Sequence, residues 1–262
     1  MSSVRLAVTV ALLAVLAGCG TGAPETATPV TPAPVPTGDE RAGASFAPGV
    51  DETGIYDADA LLDAHFGRLA NTSYTVRLSS VRRARDGSLL ARHDRTLRVA
   101  GDDRFHYVLT VEQHDGRDRR IERWRADGEA YTAVTVGNNT TYRPLTRPAP
   151  PRLVTQAELR RLFRFVPSRL SDTGGQADTA RYRVTGGPRD LPPLSNVSYT
   201  LRLTNGGLIR SYNVTYVTTR QDRPRQVTVD ASFSAVGATT VDPPSRDAPG
   251  ANTSAAGDEA GA

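Results

Sequence analysis

The apolar positions of this chain change their period after the first predicted helix. Five residues recur at helical spacing on one face of a segment predicted to be helical over Ala58–Ala70: Leu61, Leu62, His65, Phe66 and Leu69. Asp57 precedes this segment, and an aspartate there can cap the first free amide groups of a helix. From Tyr74 onward, apolar residues alternate with polar ones, which is typical of a strand that buries one face. The folded part is therefore predicted to begin with a helix that leads into a sheet.

Short polar turns divide the alternating pattern into about nine strands. Asp86-Gly87, Asp127-Gly128 and Asn205-Gly206-Gly207 join successive segments in the way that β-hairpin turns do. The nine predicted strands are one that starts at Tyr74, one that ends at Leu97 and Val99, Phe105–Val111, Arg120–Arg125, Glu129–Val136, Ala180–Val184, Val197–Leu203, Leu208–Val217 and Gln226–Ala235.

A second helix is predicted over Thr155–Phe165. Leu159, Leu162 and Phe163 fall on one face of it, and Glu158 follows Thr155 by three residues, which is the spacing of a capping box. A helix is about 10 Å across and strands lie about 4.8 Å apart, so two helices cover four to five strands. The remaining strands must curl. We therefore expect an α+β domain in which two helices close a curved antiparallel half-barrel. The pattern leaves open whether its interior is a cavity or a solid core.

The amino terminus has the features of an exported lipoprotein. Arg5 precedes the apolar run Leu6–Ala17, and Leu16-Ala17-Gly18-Cys19 matches a lipobox. The run is too short to span a bilayer, which takes about 20 residues. We expect a signal peptide over residues 1–18 and lipidation of Cys19. Since Cys19 is the only cysteine, the mature chain can form no internal disulfide.

Composition outlines the remaining domain boundaries. Residues 19–50 are rich in Thr, Pro, Ala and Gly, which predicts a disordered tether after the lipidated cysteine. A similar composition over residues 241–262 predicts a disordered tail, and the α+β domain is placed at residues 51–240. The 32 basic residues are all arginine and face 28 acidic ones, a net charge of +4. They form no dense basic block, so nucleic-acid binding is not expected.

Six Asn-x-Ser/Thr sequons are candidate glycosylation sites in an exported protein. They are Asn71, Asn138, Asn139, Asn196, Asn213 and Asn252. Each is predicted to lie in a turn, in a tail or on the polar side of a strand. Taken together they favour an exterior, glycan-bearing domain.

Catalytic chemistry finds little support in the sequence. The chain contains neither a Gly-x-Ser-x-Gly elbow nor a His-Glu-x-x-His helix. His93, His106 and His114 follow irregular intervals, so no metal site is expected, and no cofactor is implied. Trp124 lies between two arginines and suits either a ligand-stacking platform or a buried anchor, of which we favour the anchor. The protein is predicted not to be an enzyme.

The order of these features resembles haloarchaeal surface lipoproteins of unassigned function. Their domain is similar in outline to the LolA and LppX/LprG lipoprotein-carrier fold. The resemblance rests on the lipobox, the tether, the opening strand Ser73-Tyr74-Thr75-Val76 and the strand–Asp-Gly–strand rhythm over Trp124–Tyr131. It implies a half-barrel closed by helices around a lipid-binding cavity. The sequence departs from this group in two respects. Proteins of salt-loving archaea are usually acidic, whereas this chain is slightly basic. Many of their lipoprotein signals carry paired arginines, whereas Arg5 stands alone, which indicates the general secretory route.

The leading functional hypothesis is a lipid-anchored protein on the extracytoplasmic face of the cell membrane that binds or carries an apolar ligand such as a lipid. Its concave sheet face would be lined by Tyr74, Val76, Phe105, Tyr107, Tyr199, Leu201 and Phe233. The alternative is a solid-cored structural or interaction module that binds other envelope proteins. Both hypotheses remain open at this point.

Overall fold

The computed structural model describes residues 45–101, 103–145, 149–172 and 182–242. The two helices are α1 at Ala58–Ala70 and α2 at Gln156–Phe165. The strands are β1 Val50–Asp51, β2 Gly54–Ile55, β3 Tyr74–Ala84, β4 Leu89–Val99, β5 Phe105–Gln113, β6 Arg119–Ala126, β7 Glu129–Val136, β8 Asn139–Pro144, β9 Ser168–Asp172, β10 Tyr182–Leu191, β11 Leu194–Leu203, β12 Ile209–Arg220 and β13 Arg223–Ser234.

Eleven of these strands form one antiparallel sheet in the order β8-β7-β6-β5-β4-β3-β13-β12-β11-β10-β9. The sheet does not close, because β8 and β9 are its two edges. The short strands β1 and β2 pair with each other in a separate hairpin. The predicted α+β class, with an open antiparallel sheet and two helices, is confirmed.

The sheet has two strands more than the sequence pattern predicted. β8 was not predicted because its side chains are almost all exposed and show no apolar alternation. β9 has only five residues, of which Leu170 is the one large apolar residue. Both lie at the sheet edges, where a strand can pair through its backbone while it buries few side chains.

Both helices begin at the predicted capping residues. The Asp57 carboxylate accepts hydrogen bonds from the amides of Asp59 and Ala60 at 2.9 and 3.0 Å. At α2, the Thr155 hydroxyl accepts from the Glu158 amide and the Glu158 carboxylate accepts from the Thr155 amide, both at 3.2 Å. These contacts satisfy amide groups that the first turn of a helix leaves without an intrahelical partner.

The helices cover only one part of the sheet. Their buried residues share a core cluster with β3 and β10–β13, and within the described residues this cluster takes nothing from β4–β8. Within the large sheet, the buried residues of this cluster come from five strands, and the partly buried Leu170 of β9 packs against them. We call the helix-facing side the inner face, which carries Val76 and Leu78 of β3, and the opposite side the outer face, which carries Thr75 and Arg77.

The segment before α1 is packed into the same core. Ala47 and Val50 are buried and belong to the helix-covered cluster. Both residues lie in the range that composition assigned to the tether, so packing begins a few residues before the predicted domain boundary. The rest of the predicted tether, up to residue 44, lies outside the described residues.

The chain after β13 crosses the outer face as a strap, residues 235–242. The Thr239 hydroxyl contacts that of Thr75 at 3.0 Å, and the Thr239 amide donates to the Ser73 hydroxyl at 3.1 Å. Farther along, the Trp124 indole donates to the Asp242 carbonyl at 3.2 Å and packs with Val241. Trp124 is therefore a buried anchor and not an exposed stacking platform.

Candidate ligand-binding face

Two cavities lie where the inner face meets α2 and the loop before it. The first, the loop cavity, has a volume of about 480 Å³ and is lined by Tyr74, Val76, Phe233 and residues 149–156. The second, the helix cavity, has a volume of about 450 Å³ and lies between α2 and the middle of the sheet. Leu153 and Val154 line both cavities. The two cavities therefore adjoin at this loop.

The helix cavity is lined mainly by apolar side chains from α2, the loop before it and the five strands β3 and β10–β13. They include Leu78, Leu159, Leu162, Val214 and Val229. Volumes of several hundred Å³ with mostly apolar walls are typical of sites for small apolar ligands. The chemical character of this cavity therefore suits a hydrocarbon group.

A third cavity, of about 550 Å³, has a different lining. Most of its side chains, such as Arg77, Asp94, Asn213 and Asp230, lie out of phase with the inner-face residues, which places them on the outer face. The Asn213 amide donates to the Asp230 carboxylate at 2.7 Å there. Because most of its lining is on the outer face, this cavity is separate from the two that adjoin beneath the helices.

The seven residues proposed to line a binding face fall into three groups. Tyr74, Val76 and Phe233 line the loop cavity. Phe105 and Tyr107 pack with Leu97 and Val99 in a small cluster of their own, where Phe105 is wholly buried.

The third group, Tyr199 and Leu201, lies in the core beneath the helices. The Tyr199 ring packs against that of Phe163 with centroids 5.4 Å apart. Burial raises the pKa of Tyr199 to about 12, so its phenol stays protonated and provides no acid–base chemistry at neutral pH. Of the proposed lining, three residues are therefore brought to one cavity.

The structure adds lining residues that the sequence reasoning missed. Arg95 lines the helix cavity together with Leu159 and Leu162. A sequence signal for Arg95 was present, since it alternates in phase with Leu97 and Val99 on β4. No comparable signal points to Leu153 and Val154, because their loop has no periodic pattern of its own.

The five sequons within the described residues lie on the surface to different extents. Asn71, Asn138, Asn139 and Asn196 are exposed, whereas Asn213 is half-buried. Asn71 ends α1, where its side-chain amide donates to the Gly67 carbonyl at 3.1 Å. Asn252 lies outside the described residues, as does Cys19.

The histidines lie in different parts of the described fold. Within the described residues, no group of three or more His, Cys, Asp or Glu side chains is placed to hold a metal ion. His106 instead pairs with Glu122 on the outer face at 2.6 Å, and this hydrogen bond is the main cause that lowers the pKa of the Glu122 carboxyl. His93 lies on the inner face, where desolvation lowers its pKa.

Among the residues that the structure describes, neither helix has the length and hydropathy that a membrane span requires.

Comparison with known proteins finds likeness in structure only. No protein-family model matches the chain, and no curated protein matches it either. One solved structure similar to it is a LolA superfamily protein from Nitrosomonas europaea, at 11% identity and a TM-score of 0.27, with 71% of this chain and 94% of that chain covered.

Two further solved structures show similar values. A putative outer membrane lipoprotein-sorting protein domain from Vibrio parahaemolyticus is 7% identical with a TM-score of 0.23, over 69% of this chain and 92% of that one. A chain of the Pseudomonas aeruginosa MucA/MucB complex is 16% identical with a TM-score of 0.25, and the match covers 68% of this chain and 58% of that one.

These similarities are distant. The expected likeness to LolA-type chains is found among solved structures at this coarse level, and membership of the haloarchaeal group stays a prediction. TM-scores this low do not support a functional assignment. The fold class therefore rests on the sheet and helices of this chain.

Proposed function

We propose that this chain is a non-enzymatic, lipid-anchored protein of the extracytoplasmic membrane face, which holds an apolar ligand such as a lipid against the inner face of its sheet. The observation that carries the proposal is the pair of adjoining cavities of about 480 and 450 Å³, whose walls are mainly apolar. Tyr74, Val76 and Phe233 are the proposed ligand contacts in the loop cavity. The lipobox at Cys19 supports the anchor.

A displayed interaction module is the second candidate function. The tight packing around Tyr199 favours it, since a Cβ atom added to Gly186 would lie 2.3 Å from the Tyr199 ring. That part of the core leaves no space for a ligand. A module of this kind would bind other envelope proteins through its surface and carry glycans at exposed sequons such as Asn71 and Asn196.

Filling the helix cavity separates the two candidates. Val229 lines that cavity from β13 and is half-buried, so Val229→Trp places an indole in the space that a ligand would occupy. We expect this variant to bind the neutral apolar probe N-phenyl-1-naphthylamine about tenfold more weakly than the parent chain, a loss of about 1.4 kcal/mol. Fluorescence titration measures the affinity, and native mass spectrometry shows whether a copurified guest is lost as well.

The matched control is Thr228→Trp, at the neighbouring position of the same strand. Thr228 pairs with Val81 and Thr215 on the outer face and is also half-buried. The Thr228→Trp variant should bind the probe with the affinity of the parent chain. A parent chain that carries no guest and binds no probe would favour the interaction module instead.

The anchor is tested by Cys19→Ser, because serine provides no thiol for lipid attachment. We expect the variant to leave the membrane fraction or to keep its leader unprocessed, whereas the parent chain sediments with membranes. Cell fractionation with mass spectrometry of the amino-terminal peptide measures both. Membrane retention equal to that of the parent would contradict the lipobox assignment.

A further inference from the structure

The strands β3 to β8 carry their acidic residues on one face only. All four of these residues, Asp94, Glu112, Glu122 and Glu129, lie at register positions on the outer face. The inner face of the same strands carries arginines at Arg82, Arg95, Arg119, Arg123, Arg125 and Arg143. The carboxylates of these strands and these arginines therefore lie at register positions on opposite faces of the sheet.

Four of these arginines, which we call the arginine cluster, surround the apolar middle of the inner face. They are Arg82, Arg95, Arg119 and Arg123. The register places three of them near His93: Arg95 is two residues along β4, Arg82 pairs with Ala91, and Arg119 pairs with Val111, the partner of His93. After desolvation by burial, the nearby charges of Arg95, Arg82 and Arg119 further lower the pKa of His93. Arg123 lies over the Tyr107 ring, with its guanidinium carbon 5.9 Å from the ring centroid.

The cluster lacks the ion pairs that other arginines of this sheet make. On the outer face, Arg92 pairs with Asp94 at 2.7 Å and Arg120 with Glu122 at 3.5 Å. Within the described residues, no member of the arginine cluster is in an ion pair, and the Nε atom of Arg123 is buried without a hydrogen-bond partner. Arg82, Arg95 and Arg123 are half-buried and Arg119 is exposed, so the unfavourable burial of a cationic group applies to the Arg123 Nε atom, where an incoming anion would relieve it.

The arginine cluster reaches the helix cavity through Arg95. Arg95 lines the helix cavity beside Leu78, Leu159 and Leu162. Glu158 borders the same cavity, but its carboxylate accepts the hydrogen bonds of the α2 capping box. A molecule in this cavity therefore meets Leu159 and Leu162 along α2 and the Arg95 guanidinium toward β4, and Arg161 of α2 lines the cavity as well.

We propose that the inner face selects amphiphiles with an anionic headgroup, a carboxylate or a phosphate, which the arginine cluster binds while the hydrocarbon chain occupies the helix cavity. Arg95 lies where the arginine cluster meets the helix cavity. This inference rests on the proposed function and adds the chemical class of the ligand to it. Arginine suits both headgroups because its planar guanidinium binds two oxygens at once.

The test compares ligands that share a twelve-carbon chain and differ in headgroup. The full chain carrying Cys19→Ser is titrated calorimetrically, below micelle formation, with laurate, dodecyl phosphate, dodecyl maltoside and dodecyltrimethylammonium. We expect laurate or dodecyl phosphate to bind at least about tenfold more tightly than the neutral and cationic ligands. The stronger of the two anions then distinguishes a free fatty acid from a phosphorylated lipid.

Paired variants assign the effect to the cluster. Arg95→Gln combined with Arg119→Gln should lower the ratio of the affinity for the preferred anion to the affinity for dodecyl maltoside about tenfold. Arg77→Gln combined with Arg98→Gln removes the same charge from outer-face positions on β3 and β4 and should change neither affinity. Circular dichroism confirms that both variants are folded.

The outcomes separate this inference from the proposed function. Equal binding of all four ligands, or preference for the neutral or cationic one, would overturn the anionic selectivity and leave the apolar site in place. If none of the four ligands binds, both the anionic selectivity and the proposed apolar site are wrong. Anion binding that survives in the Arg95→Gln/Arg119→Gln variant would also overturn the inference, since the charge would then act from elsewhere.

Discussion

Lowering the pH from 7 to 4 is expected to remove about 3 kcal/mol from the free energy of unfolding through His65 alone. His65 is wholly buried in α1. Its Nδ1 accepts a hydrogen bond from the Ile209 amide at 3.3 Å, and its ring meets those of Phe66 and Phe233 edge-on. Desolvation in this apolar setting lowers the pKa of His65 from 6.5 to about 4.

The direction of the effect follows from proton binding. Between pH 6.5 and about 4 the unfolded chain binds a proton at His65 and the folded chain does not, so acidification favours unfolding. The contribution of this group is therefore fully present above pH 6.5. It declines as the pH falls through the unfolded value and is lost below the folded one.

The control for this prediction is His65→Asn, which does not titrate and can still offer an oxygen to the Ile209 amide. Urea unfolding at several pH values between 7 and 4 gives the free energy of both chains. Other titrating groups contribute alike to both, so the difference between the curves isolates His65. We expect the variant to be less stable at pH 7 and to lose less stability on acidification. Parallel curves would show that His65 is not the group that responds.

The helices were predictable because their signals are local. Asp57 and the thirteen residues after it contain both the cap and the apolar face of α1, so its observed bounds, Ala58–Ala70, are those of the prediction. The Thr155 and Glu158 pair marks the start of α2 equally well. Strands that bury one face, such as Glu129–Val136, were predicted for the same reason.

The sequence did not predict which strands of the sheet the helices and loops cover. Alternation assigns Phe105, Tyr199 and Val76 to the inner face, but it does not tell which of them a helix or loop will cover. That depends on strand order, which places β13 beside β3 and thereby brings the two ends of the domain together. The outer-face strap that buries Trp124 depends on the same long-range pairing.

The charge pattern of the candidate site was present in the sequence but could not be assigned to a face. Arg95 and Asp94 are neighbours on β4, and one residue of register decides which of them faces the helix cavity. The apolar neighbours Leu97 and Val99 favour Arg95. The alternation of Arg95 with Leu97 and Val99 is therefore the sequence feature on which the proposed anion-binding part of the site depends.

Replacing Gly49 with alanine is expected to lower the free energy of unfolding by about 3 kcal/mol. Gly49 has φ +72°, a conformation that disfavours residues with a Cβ atom, and an added Cβ would lie 2.0 Å from the Asp57 carbonyl oxygen. The segment must therefore move away from the start of α1. That movement weakens the hydrogen bonds from the Tyr56 and Asp57 amides to the Gly49 carbonyl, now 3.0 and 3.2 Å, and exposes Val50.

Gly116→Ala separates the two causes of this loss. Gly116 has almost the same backbone angle, φ +70°, but an added Cβ would meet nothing within 4 Å. The Gly116→Ala substitution should therefore lower the free energy of unfolding by the backbone strain alone, about 1 kcal/mol. Urea unfolding of both variants measures the difference of about 2 kcal/mol that we attribute to the contact between the Gly49 segment and α1. Equal losses in the two variants would mean that residues 47–50 do not pack against the helix, and that the folded domain begins after them.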